Sequence, residues 1–164
     1  MHLSTKGRYA VMAMVDLASR QTTGCECGPI CLAEIAARQQ LSQSYLEQLF
    51  GKLRRAGLVA SARGPGGGYR LARTSDRIAI ADIIAAVDEP IQATRCEKGS
   101  GGCIVNPTHD GPNERCQTHD LWFELSRQIE LFLRGVTLAD VIEGRIAGRA
   151  VPLPVMEARK LAAE

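Results

Sequence analysis

L-A-E-I-A-A-R-Q-Q-L-S-Q-S-Y-L-E-Q-L-F-G-K-L-R-R-A-G-L-V-A-S-A-R-G-P-G-G-G-Y-R-L-A, residues Leu32 to Ala72, is the stretch that decides the fold. Its opening sets Leu32, Ile35 and Ala36 on one side of a short helix running to Gln39. After a turn at Gln40 to Ser42, a second helix gathers Leu46, Leu49, Phe50 and Leu53 on one face and leaves Gln43, Glu47, Gln48, Lys52 and Arg55 elsewhere. Gly57 stands where a glycine ends a helix. Leu58 to Arg63 then alternates in strand fashion, Gly64-Pro65-Gly66-Gly67-Gly68 turns, and Tyr69 to Ala72 resumes the strand. Two short helices joined tightly and followed at once by a hairpin make a winged helix-turn-helix.

Working outward, residues 5 to 20 place Val11, Met14, Val15 and Ala18 at helical spacing, with Ser4 or Thr5 as N-cap, and predict a largely buried scaffold helix. Thr22 to Pro29 reads as a loop. Ile80, Ile83, Ile84 and Val87 mark another short helix that Pro90 stops, and residues 91 to 116 form a long glycine-rich loop without apolar periodicity. Leu121, Leu125, Ile129, Phe132 and Val136 then define the longest helix, and Thr137 with Asp140 starts a fresh one after Gly135. Trp122 and Phe132 on the long helix read as packing residues near or within a dimer interface. The expected fold is mainly α with a small β-hairpin wing. It divides into a winged helix-turn-helix at 1–90, a cysteine-bearing loop at 91–119, a long dimerisation helix with a following short helix at 120–146, and a flexible tail at 147–164.

A chain of 164 residues has room for one principal core, and 45% hydrophobic with 23% charged residues is an ordinary globular balance. No apolar run reaches the roughly 18 residues of a membrane span and no secretory cleavage pattern follows Val11 to Val15, so a soluble cytoplasmic protein without a membrane partner is expected. In that compartment six cysteines point to thiols or metal ligands before disulfides. The net charge of +2 conceals an asymmetry: residues 42 to 77 carry seven basic side chains against two acids, while residues 91 to 164 carry nine against ten. The winged segment is thus the polyanion surface.

On that surface Gln43, Ser44, Glu47 and Gln48 are candidates for base edges, and Lys52, Arg54 and Arg55 for phosphate. A carboxylate at Glu47 accepts from cytosine N4 and repels phosphate, so it narrows the sites bound; its alternative role is the N3 partner of Ser44 in a capping box. Arg63 and Gly66 belong to the wing tip, where an arginine can enter a minor groove, and Tyr69 packs beneath it. A phosphate-binding loop is excluded at Gly64 to Gly68, since no Gly-Lys-Ser/Thr follows and a strand comes next.

The long loop spaces Cys96, Cys103, Cys116 and His119 as C-x6-C-x12-C-x2-H. Three thiols and an imidazole among glycines can wrap a metal centre, either a closed zinc site or an iron–sulfur centre, with His109 a competitor to His119. Cys25, Cys27 and Cys31 form C-x-C-x3-C in the first loop, lack a clear fourth ligand, and read as ordinary thiols.

Four segments together carry a resemblance. L-S-T-K-G-R-Y-A-V (Leu3 to Val11), S-Y-L-E-Q-L-F (Ser44 to Phe50), R-G-P-G-G-G-Y (Arg63 to Tyr69), and A-V-D-E (Ala86 to Glu89) leading to A-T-R-C (Ala93 to Cys96) closely resemble the bacterial winged-helix iron–sulfur transcription regulators, over roughly residues 1 to 146. The resemblance implies a dimeric regulator that reads pseudo-palindromic double-stranded DNA and holds a [2Fe-2S] cluster on Cys96, Cys103, Cys116 and His119. It also implies cluster-assembly machinery as the cluster donor, cluster-biogenesis genes as targets, and no enzymatic activity. The gap between Cys103 and Cys116 is longer than in the best-known members, an insertion that a loop absorbs at small entropic cost. Nitric-oxide-sensing members that use an N-terminal acidic ligand are less similar, because Arg8 stands at the matching place. The other classes compatible with such a loop are an iron–sulfur redox or carrier protein and a zinc-stapled DNA-binding module, and the basic winged segment argues against the carrier.

Overall fold

Six helices and one β-hairpin make up the described parts of the chain, which in this computed structural model are residues 5–22, 28–64, 66–88 and 118–148. In order they are α1 (Thr5–Thr22), α2 (Leu32–Gln39), α3 (Gln43–Arg55), β1 (Val59–Ala62), β2 (Gly68–Leu71), α4 (Ile80–Ala86), α5 (His119–Arg134) and α6 (Leu138–Ile142), with a 3-10 turn at Ser75–Arg77. The expected N-cap Ser4, most of the 91–119 loop and the tail beyond Gly148 lie outside the described residues.

The helix-turn-helix forms where the turn chemistry demands it. Gln40 leaves α2 with a left-handed φ of 53°, which reverses the chain within two residues of the next helix. Ser42 caps α3 by accepting from the Tyr45 amide at 3.3 Å. The cap is therefore Ser42 and not Ser44, so Glu47 falls beyond the N3 position and the expected capping box between Ser44 and Glu47 does not form. At the other end Gly57, with φ of 69°, lets its amide reach Arg54 O and the Leu58 amide reach Leu53 O, both at 3.0 Å, a Schellman closure that aims the chain straight into β1.

β1 and β2 pair antiparallel with Val59 opposite Leu71 and Ser61 opposite Tyr69. A third backbone segment joins this hairpin, because Ile30 and Tyr69 exchange amide hydrogen bonds of 2.9 and 2.8 Å. The approach is close enough that a Cβ on Gly68 would lie 2.3 Å from Ile30 O, so only glycine fits there.

One core serves all these elements. α1 buries Ala10, Ala13, Met14, Leu17 and Ala18, and it meets Ile35 of α2, Leu46 to Leu53 of α3, and Ile83 and Ile84 of α4. The buried face is turned by about one residue from the expected one, since Val11 and Val15 are only half-buried. The face instead buries the small side chains of Ala10 and Ala13 together with Leu17. α6 returns to the same core: Ile80 N bonds Val136 O, Leu138 N bonds Ile78 O, and Leu138 is fully buried. Its start carries the expected Thr137 and Asp140 pair as a reciprocal capping box.

A polar clamp fixes α1 to α2. The Asp16 carboxylate, 8% exposed, accepts two bonds from Arg38 Nε and one of 2.7 Å from Arg38 Nη2, and a further bond of 2.8 Å from Gln39. Burial pushes the Asp16 pKa up, but the hydrogen bonds from Arg38 and Gln39 prevail and hold it below the usual carboxylate value.

α5 behaves differently from the rest. Among the described residues its expected stripe is largely exposed: Leu121 is 62% and Phe123 55% exposed, and Trp122, Leu125, Leu131 and Phe132 are also exposed. Among the described residues no helix is long and apolar enough to cross a membrane.

Candidate nucleic-acid interface and metal centre

α3 turns its apolar side chains inward, so at about 100° per residue its outer face is dictated by the same periodicity. Ser44, Gln48, Gly51 and Arg55 run along the middle of that face. Gln43, Glu47 and Arg54 lie on the flank toward the wing, where Arg54 Nη1 donates to Ser61 Oγ at 3.4 Å. Lys52 lies on the opposite flank, toward α4. Gln43, Ser44, Glu47, Gln48, Arg54 and Arg55 are all exposed, as are Arg63 and Gly66 at the wing. Eight of the ten expected DNA contacts are thus exposed on α3 or the hairpin, while Lys52 is half-buried on the far flank. Tyr69 is the tenth and sits lower, its ring packed edge-on against Phe50 with centroids 4.9 Å apart, where it supports the wing on α3.

Two interactions on this surface are not among those expected from the sequence, though the first joins i,i+4 neighbours on α3. Gln43 Nε2 donates to Glu47 Oε1 at 3.0 Å, which takes up part of the acceptor capacity of Glu47 and sets its direction. Lys52 Nζ donates to Asp88 Oδ2 at 2.6 Å, across 36 positions of sequence. The bond to Lys52 is the main cause that lowers the Asp88 pKa, and the bond to Asp88 the main cause that raises that of Lys52. Asp88 stands out in the sequence only as part of the A-V-D-E segment, and nothing local to it announces a partner on α3. Gly51 is likewise silent in the sequence, although it occupies the middle of the outer face, and a Cβ added to it would meet no atom within 4 Å.

The expected metal ligands divide between two situations. Cys96, Cys103 and Cys116 lie outside the described residues, as do His109, Cys25 and Cys27. His119 is described, and it opens α5 rather than closing a loop. Its ring is 8% exposed and stacks on Phe123 at 6.2 Å, and its Nδ1 is buried without a hydrogen-bond partner among the described residues. A buried imidazole nitrogen left without a partner is costly, and coordination to a metal removes that cost. The donor set of one imidazole and three thiols within 24 residues fits an iron–sulfur centre or zinc. Of the remaining cysteines Cys31 is described; it is an exposed free thiol just before α2.

A family model for Rrf2, described as an iron-dependent transcriptional regulator, matches residues 3–144. The chain belongs to the Rrf2 family. This Rrf2 chain is 47% identical over 165 residues to the HTH-type transcriptional regulator ORF2 of Azotobacter vinelandii, covering 94% of this chain and 93% of that one. It is 48% identical to the HTH-type transcriptional regulator IscR of Cronobacter sakazakii over 145 residues, 88% of this chain and 82% of the relative. Among solved structures, IscR of T. potens matches with a TM-score of 0.65 at 36% identity, covering 93% of this chain and 94% of that one. CymR of B. subtilis, the global cysteine regulator, matches at 0.67 and 34%, covering 88% and 98%. The mainly helical fold with its two-stranded wing is the winged helix-turn-helix of these Rrf2 proteins. The family is one of DNA-binding transcription regulators and not of enzymes.

Proposed function

We propose that this Rrf2 protein senses iron–sulfur status through a [2Fe-2S] cluster on Cys96, Cys103, Cys116 and His119 and, as a homodimer in the bacterial cytoplasm, controls cluster-biogenesis and related genes. The observation that carries the proposal is His119, a buried imidazole whose Nδ1 lacks a partner among the described residues, three positions beyond a cysteine. IscR relatives at nearly half identity support the choice of an iron–sulfur group over zinc. When bound, such a group supplies one-electron redox chemistry and a compact charge that responds to iron and oxidants. His119 opens α5, so whatever holds its ring also fixes the first turn of that helix. The exposed apolar face of α5 supports self-association, with cluster-assembly machinery as donor of the metal group. Two α3 helices related by a two-fold axis would read a pseudo-palindrome with half-sites about one helical turn apart.

Ultraviolet-visible spectra of anaerobically purified protein test the metal assignment, because iron–sulfur charge transfer absorbs and zinc does not. Cys96→Ser, Cys103→Ser and Cys116→Ser should each abolish the colour, Cys25→Ser and Cys31→Ser should not, and His119→Ala should alter the spectrum more than His109→Ala. A colourless protein with one zinc per chain, or a coloured one that needs Cys25 or Cys31, overturns the assignment.

A further inference from the structure

Lys52 is placed as a phosphate contact, yet its ammonium is already engaged. It donates to Asp88 at 2.6 Å, with its side chain 27% exposed while that of Asp88 is 75% exposed. The acid reaches it from another element: Asp88 follows the end of α4, with its amide bonded to Ala85 O at 3.1 Å. Its backbone is left-handed, with φ of 56°, a conformation that Asp and Asn tolerate far better than most residues. This geometry turns the carboxylate back toward the α3 flank, so a negative group already sits against the ammonium that a DNA phosphate would approach. Asp88 also feels the positive charges of Lys6 and Arg55, so its carboxylate sits within a local basic patch.

We propose that Asp88 is a positioning residue that sets DNA affinity by occupying Lys52 in place of a backbone phosphate. Both candidates for the ammonium are oxyanions of similar reach, and the Asp88 carboxylate competes with a phosphate for its donors and repels it by charge. The internal acid therefore reduces the electrostatic part of binding, which is independent of base sequence, and leaves base readout by the rest of α3 intact. The outcome is a regulator whose grip on target and non-target DNA alike is weakened by the same factor, with base readout unchanged. The inference rests on the reading of α3 as the DNA-facing helix.

The test is salt-dependent binding of the full chain to a random-sequence duplex, with four proteins: wild type, Asp88→Asn, Lys52→Gln and the double variant. Asparagine retains the left-handed backbone and removes the charge, and unchanged far-ultraviolet circular dichroism and melting confirm that the fold is kept. Asp88→Asn should bind about three- to tenfold more tightly near 0.1 M salt, with a log-log salt slope steeper by about 0.9, the signature of one added phosphate contact. In the Lys52→Gln background the same change should give less than a twofold gain, and Asp76→Asn, which removes an exposed acid from the 3-10 turn, should also shift affinity less than twofold. Wild-type binding with no gain in Asp88→Asn, or an equal gain with and without Lys52, overturns the role of Asp88 alone. Absence of binding by every protein at low salt overturns the DNA reading of α3 and this inference with it.

Discussion

α3 and α5 are both amphipathic, and each carries an apolar stripe at helical spacing, yet the two stripes end in opposite environments. α3 buries Leu46, Leu49, Phe50 and Leu53 completely or nearly so against α1, α2, α4 and the hairpin. α5 leaves Leu121, Trp122, Phe123, Leu125, Leu131 and Phe132 open, and meets mainly α4. Periodicity therefore states that a helix has something to cover, and does not state which body covers it. For α3 the cover is its own chain, which fixes the outer polar face and makes it a surface of definite shape. For α5 the described residues supply little cover, and in the proposed homodimer a second copy of the chain would supply it.

The comparison can be broken most forcefully at its buried end. Phe50 is fully buried and packs against Tyr69, so Phe50→Ala removes core contacts and the support of the wing together. We expect a loss of about 3–5 kcal/mol in denaturant unfolding, and a loss below about 1 kcal/mol would mean that the α3 stripe is not the centre of the core. The exposed end should respond in another way. Leu125→Asp should leave the circular dichroism spectrum intact while weakening self-association, measured by sedimentation equilibrium, by about a hundredfold, equivalent to about 2.8 kcal/mol. Unfolding as severe as that of Phe50→Ala, with association unchanged, would show that α5 is covered within its own chain.

The smallest effect sharpens the contrast inside α3 itself. Gly51 is helical, lies on the outer face, and has nothing within 4 Å of an added Cβ. Gly51→Ala should stabilise the chain by about 0.5–1 kcal/mol through helix propensity alone. A thermal melt that moves downward would reveal a packing role for the glycine that the free chain does not display.

Much of the helix-turn-helix and wing is legible in the sequence because its signals are local. The Leu46 to Leu53 stripe, the Gly57 stop and the glycine turn after Arg63 each act within a few residues, and the observed elements follow them to within a residue or two. Sequence and structure part where two local signals compete. Ser42 and Ser44 both suit an N-cap, and the left-handed Gln40 decides in favour of Ser42, which frees Glu47 from the capping box and leaves it to Gln43. On α1 hydrophobicity favours valines over alanines, but the observed face buries Ala10 and Ala13 together with Leu17. His119 is legible as a ligand candidate from its spacing to Cys116, whereas its burial at the start of α5 is not.

The sequence by itself determined the order and type of the elements, the sharp turns between them and the residue types of the proposed DNA and metal sites. Those depend on dihedral preferences, caps and periodicities that act over one or two turns of chain. Only the tertiary structure decided that Arg38 closes on Asp16 across 22 positions, that Asp88 closes on Lys52 across 36, and that α6 returns to the core while the α5 stripe stays open. Such pairings depend on how packed helices bring distant side chains together, and no short-range preference encodes that distance.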